Sequence, residues 1–194
     1  TLLDGYQPVG QYSTEEYVNS HINRVQKWIN KFTAVLFNRG IIHDKSKLKE
    51  PEFPMWKKMD EEPRYKYGTK EYNEKINRYK EVFDLHYRQN RHHPEHWSGF
   101  YSELDLIDVI EMLCDWLGYK DDITIKEAEE LVNIQCKRYE FNSTFQSLLY
   151  NTLKNYFTVS ENEKSLNELL RKLGIDDDSS QIEFEEYHHI DIYV

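Results

Sequence analysis

Apolar and aromatic side chains recur at spacings of three and four along most of this chain, and that period predicts helices. Tyr17, His21, Val25, Trp28, Phe32 and Leu36 mark one face of a long first helix, so His21 falls on its apolar, core-seeking side. Ser13 or Thr14 caps the start, Glu15 and Glu16 stand beside the positive end of the dipole, and the helix is expected to end near Gly40. A short segment, IIHDKSKLKE, runs from Ile41 to Glu50, and Pro51 and Pro54 then interrupt the chain. From Pro51 to Lys70 the pattern is polar and aromatic with weak periodicity, which predicts a long loop with short helical pieces, suited to covering a site. Helix returns from Thr69 to Tyr87 on Tyr72, Ile76, Tyr79, Val82, Phe83 and His86. NRHHPEHWSGF follows as a turn. The clearest buried helix spans Glu103 to Tyr119, on Leu104, Ile107, Val109, Ile110, Leu113, Cys114, Trp116 and Leu117.

Further helices are expected from Thr124 to Tyr139, where Thr124 and Glu127 form a capping box, from Ser143 to Phe157, and from Ser160 to Gly174. The acidic tail reads as frayed or as a short strand. The fold class is all-α. Neither a repeat nor a Gly-rich phosphate loop interrupts it.

Composition narrows the function. Hydrophobic residues make up 39% of the 194 and aromatics 14%, enough for a packed core. With 25 basic against 35 acidic residues the net charge is −10, which repels a phosphate backbone and argues against broad nucleic-acid binding. A small phosphorylated ligand stays compatible, because a metal or a few cations reverse the potential inside one pocket. Cys114 and Cys136 form no CxxC pair and read as two buried thiols in a reducing compartment. With no apolar run of membrane-spanning length and no leader before the first helix, the expectation is a soluble cytoplasmic protein without membrane attachment. Its many Tyr, Asn, Lys and Glu residues suit a bacterial or phage genome. A homo-oligomer is compatible with all of this.

Candidate chemistry centres on His43 and Asp44, which at a helix start reach one centre as imidazole and carboxylate. His86, His92, His93 and His96 lie between them and Asp115, so these side chains are candidates for convergence; the bland alternative is that the four histidines are exposed turn residues. Asp108, Glu111 and Asp115 form a stripe on an otherwise apolar helix, either its solvent face or a buried and engaged set. Ser46 has no His–Asp relay and reads as no nucleophile, His188 and His189 read as an exposed pair, and Trp56, Trp97 and Trp116 read as core or loop anchors.

The order His21, His43–Asp44, Asp115 resembles the HD-domain metal-dependent phosphohydrolases, and HDKSK, with Lys47, is similar to their HDxxK form. HHPEH resembles the extra histidines of two-metal members. The chain is also similar to a phage and bacterial family carrying HDxSK, HHPEHW and a D-L-I-D-x-x-E-M-x-x-D-W helix. The resemblance spans His21 to Trp116 and implies an HD-domain-like helical bundle over residues 1–122, with 123–194 as a C-terminal helical extension packed on it. It implies one or two divalent metals (Mn, Fe, Co, Ni, Zn or Mg) held by His21, His43, Asp44 and Asp115, with His86 and His92 as further ligands. The implied activity is hydrolysis of a phosphoester in a nucleotide or small phosphorylated metabolite. Asp44, Lys47 and His93 would be catalytic, and Lys47, Arg91 and His96, with Lys45 as a lesser candidate, would meet the phosphate. The Gly-rich signature of cyclic-dinucleotide members is missing here. Two alternatives use the same residues: a di-iron oxygenase on this fold, and a non-catalytic protein that sequesters a nucleotide.

Overall fold

A computed structural model describes residues 13–99 and 101–157. The chain divides into two compact units, residues 1–45 and residues 46–194. Seven α-helices account for the described residues, with short 3-10 turns between them and no strand, so the all-α expectation holds. No helix among the described residues is long and apolar enough to cross a membrane.

The first unit is one helix, α1 (Thr14–Ile42). Ser13 caps it: its Oγ accepts from Glu16 N at 3.2 Å, and Glu16 Oε2 accepts from Ser13 N at 2.7 Å. These local bonds satisfy two backbone donors that a helix start otherwise leaves open. α1 runs through Gly40 to the C-cap His43, and Asp44 follows at φ 52°. That left-handed backbone ends the helix, and Asp tolerates it better than most side chains. None of the residues of α1 is buried, and His21 is exposed. The placement of His21 on a core face is thereby corrected, since a solitary helix has no core within its own unit.

The second unit begins in the 3-10 turn Lys45–Leu48. The segment expected as a loop with short helical pieces contains α2 (Glu52–Asp60), which buries Glu52, Trp56 and Met59. The single helix expected over Thr69–Tyr87 is two: α3 (Lys70–Arg78) and α4 (Lys80–Gln89). They meet at Tyr79, whose φ −103° and ψ 14° leave the helical region. Tyr79 is buried, and its hydroxyl donates to Glu62 Oε1 at 2.7 Å, which anchors the break. Trp56, Met59, Tyr79 and Val82 form a small core between α2 and α4.

The HHPEH stretch makes a 3-10 turn, Pro94–Trp97, with Pro94 in its first turn where its missing N–H costs nothing. α5 (Leu106–Leu117), α6 (Ile125–Arg138) and α7 (Ser143–Phe157) then build the larger core from Val109, Met112, Leu113, Leu131, Val132 and Leu149 with their neighbours. The Thr124–Glu127 capping box is present at the start of α6. On α5 the expected burial of Ile110 and Cys114 does not occur; both are exposed. The acidic stripe takes the inward positions instead. Cys136 is buried as expected, and burial pushes its thiol up to about 11. Trp56, Trp97 and Trp116 are buried, as anchors should be. The Ser160–Gly174 helix, the acidic tail and His188–His189 lie outside the described residues.

Candidate metal centre

The site begins with a buried histidine whose environment selects its proton. His86, on α4, is 1% exposed, and its Nδ1 lies 2.9 Å from Glu52 Oε2. A carboxylate only accepts, so Nδ1 donates and Nε2 carries the lone pair. Trp56 Nε1 donates to the same oxygen at 2.9 Å, four residues on along α2. The Ser46 hydroxyl stands 3.2 Å from His86 Nδ1, and the Asn90 amide bridges Ser46 Oγ at 3.0 Å and the His86 carbonyl at 2.9 Å. His86 Nε2 faces His93 Nε2 at 2.9 Å.

His92 repeats the device from the other side. It is also 1% exposed, and its Nδ1 meets Glu111 Oε1 at 3.2 Å. Its ring packs against that of His93 at a tilt of 42°, with centroids 4.1 Å apart. Ligand atoms of His86, His92 and His93 lie within 4.8 Å of one another, as do those of His92 and Asp115. Asp115 sits one turn beyond Glu111 on α5, so a single helix supplies both the carboxylate behind His92 and the one beside it.

This donor set suits a divalent cation. Two buried carboxylates hold the Nδ1–H of two imidazoles, fix their tautomers and turn the basic Nε2 atoms away from the carboxylates, the arrangement that orients histidine ligands around metals. The His and Asp groups could therefore hold a metal ion, as expected for the cofactor. His43 and Asp44 end the first unit as a second set of ligand-type side chains, with Nε2 and Oδ2 at 3.8 Å and both partly buried. His21 belongs to no such group among the described residues.

Other expected site residues have different occupations. Arg91 donates from Nε to Asp108 Oδ1 at 3.1 Å and from its terminal nitrogen to Oδ2 at 2.7 Å, and its guanidinium lies 4.3 Å from the Trp97 ring. Asp108 is 0% exposed, so this fork neutralises a buried carboxylate instead of meeting a phosphate. His96 donates from Nδ1 to the Tyr87 carbonyl at 2.8 Å, which makes it a clasp for the turn. Lys47 lies 5.3 Å from the Trp56 ring and lines a cavity of about 110 Å³ together with His86, His93 and Asp115. Lys45 is exposed at the start of its turn.

Glu52 is the carboxylate of this site that the sequence did not single out, and Glu111 was visible only as part of the acidic stripe on α5. Glu52 stood between two prolines in an expected loop, and its only signal was the four-residue spacing to Trp56. Glu111 had a signal, a carboxylate inside the apolar period of α5.

Fold and site together define an all-helical protein with a histidine and aspartate group, His86 and His92 buried within it, that could hold a metal ion. The chain belongs to the family described as "Family of unknown function (DUF5662)", whose model matches residues 10–155. No curated protein and no solved structure matches it.

Proposed function

We propose that the protein is a metal-dependent phosphohydrolase acting on a nucleotide or another small phosphorylated metabolite. The observation that carries this reading is the group of buried His86 and His92 with partly buried His93, two of its rings held by Glu52 and Glu111. The likeness of His43–Asp44 and HDKSK to the HD-domain enzymes supports it. That likeness names His43, Asp44 and Asp115 as the further ligands.

A bound divalent metal would supply a water of lowered pKa and a Lewis acid for the phosphoryl oxygens. The chain's own residues do the remainder. Glu52 and Glu111 keep His86 and His92 in the ligating tautomer. Lys47 neutralises phosphate charge from the cavity wall. His93 gives a proton to the departing oxygen when it is not ligating.

Elemental content of the purified protein, before and after chelation, with phosphate release screened over nucleotides and sugar phosphates, tests the proposal. The expected result is stoichiometric metal and phosphate release that chelation abolishes. No metal after loading with Mn, Fe or Zn overturns it, and two irons without phosphate release transfer the site to oxygen chemistry.

A further inference from the structure

α1 is the whole of the described first unit, and its apolar face is open. Val18, Ile22, Val25, Ile29, Phe32 and Leu36 recur at alternating spacings of four and three, so they form one continuous stripe. Leu36 is half-buried, and the other five, with Trp28 at the edge, are between 42% and 61% exposed. Their open area is roughly 700 Å² per helix, more than the largest apolar patch of an ordinary monomer.

The stripe runs about 27 Å along the helix axis from Val18 to Leu36. Among the described residues of the second unit no element exposes more than two large apolar side chains, Leu106 and Ile110 on α5 being the pair. A second α1 offers the same stripe at the same spacing. Two such faces bury about 1,400 Å², within the range of a stable interface. The positions directly beside the stripe hold no Asp, Glu, Lys or Arg; Asn19, Gln26 and Thr33 stand on one side. Arg24 and Lys27 lie farther round the helix, where Arg24 donates to Ser20 Oγ at 2.6 Å. Like copies therefore approach along the stripe without cation meeting cation.

We propose that α1 pairs with α1 of a second copy, antiparallel, through this stripe, so that the protein is a homodimer. The charged ends of the stripe give the direction. The same spacing puts Glu15 three residues before Val18 and Arg39 three residues after Leu36. In an antiparallel pair centred at the level of Lys27, Val25 meets Ile29, Ile22 meets Phe32 and Val18 meets Leu36. Glu15 then meets Arg39 at both ends. A parallel pair sets Glu15 against Glu15 and Arg39 against Arg39, which like charge disfavours. The pairing goes beyond the phosphohydrolase reading and does not depend on it.

Sedimentation equilibrium of the full chain, from micromolar concentration upward, tests the proposal. The expected species has twice the chain mass. Ile29→Glu puts a carboxylate into the middle of the seam once per copy and weakens dimerisation at least about hundredfold. Two charge variants keep the test open if Ile29→Glu fails to fold. Glu15→Lys and Arg39→Glu each weaken dimerisation about tenfold, and the double variant recovers the parent affinity. The two positions lie about 36 Å apart along one helix, so recovery comes from the partner copy. A monomer at every concentration overturns the proposal, as does Ile29→Glu associating like the parent. No recovery in the double variant overturns the antiparallel register. A monomer that co-sediments with anionic phospholipid vesicles gives the face to a membrane surface and overturns the dimer. Neither metal content nor phosphate release enters these readouts, so the dimer and the hydrolase stand or fall separately.

Discussion

Glu52 shows how one side chain sets the chemistry of another. Its Oε2 accepts hydrogen bonds from both Trp56 and His86, and all three residues are nearly sealed from solvent. Glu52→Leu removes the acceptor and leaves the His86 Nδ1–H buried and unmet. Metal affinity should fall about 10- to 100-fold, the usual cost of losing the group behind a histidine ligand. Glu52→Gln, which keeps an acceptor oxygen, should recover part of the loss. Competition titration with a chromophoric chelator measures both, and unchanged affinity in Glu52→Leu would remove Glu52 from the site. Arg91 gives the opposite lesson, since its bidentate hold on Asp108 makes it structural despite its place beside two site histidines.

Helix ends were the most legible elements, because a cap is a contact among neighbours in the chain. In α6, Glu127 Oε2 accepts from Thr124 N at 2.8 Å, while Lys120 reaches Oε1 at 2.7 Å. The Lys120 ammonium and the Thr124 donors hold the Glu127 carboxyl at about 2, below its ordinary 4.5. A depressed carboxyl contributes stability that is complete above its unfolded value and lost as pH falls through the folded one. Melting temperature should therefore decline between about pH 5 and 2 with a contribution from this group, and Glu127→Gln should flatten that part of the curve. Identical pH profiles for the parent and Glu127→Gln would show that the capping box contributes nothing. The break at Tyr79 was not legible, because the apolar period runs through it unchanged and only the partner Glu62, 17 residues earlier, marks the position.

For the molecule as a whole, a metal that binds only the folded chain must also stabilise it. At a free concentration a hundred times Kd the linkage is about 2.7 kcal/mol, which for a chain of this size raises the melting temperature by roughly 5–10 °C. Calorimetry with Mn or Zn, against the chelated protein, should show that increment, and coincident transitions would contradict a site built from the folded core. The histidines lie against two small cores, with His86 and Glu52 beside the core of α2 and α4, and Glu111 and Asp115 on the helix that fronts the larger one. Such a centre would tie the two cores together, which is why its removal should be felt globally.

By itself the sequence determined the all-helical class, the caps at Ser13 and Thr124, the anchoring of Trp56, Trp97 and Trp116 and the kinds of ligand on offer. Each of these depends on residues within a few positions of one another, where period and capping chemistry act directly. Only the tertiary structure decided which histidines meet. His86 finds Glu52 across 34 residues, and Arg91 finds Asp108 across 17. It also turned the acidic stripe of α5 inward and left Cys114 and Ile110 outside. No local period encodes such pairings: a buried charge is costly wherever it lies, and only the packed fold brings up the partner that offsets the cost.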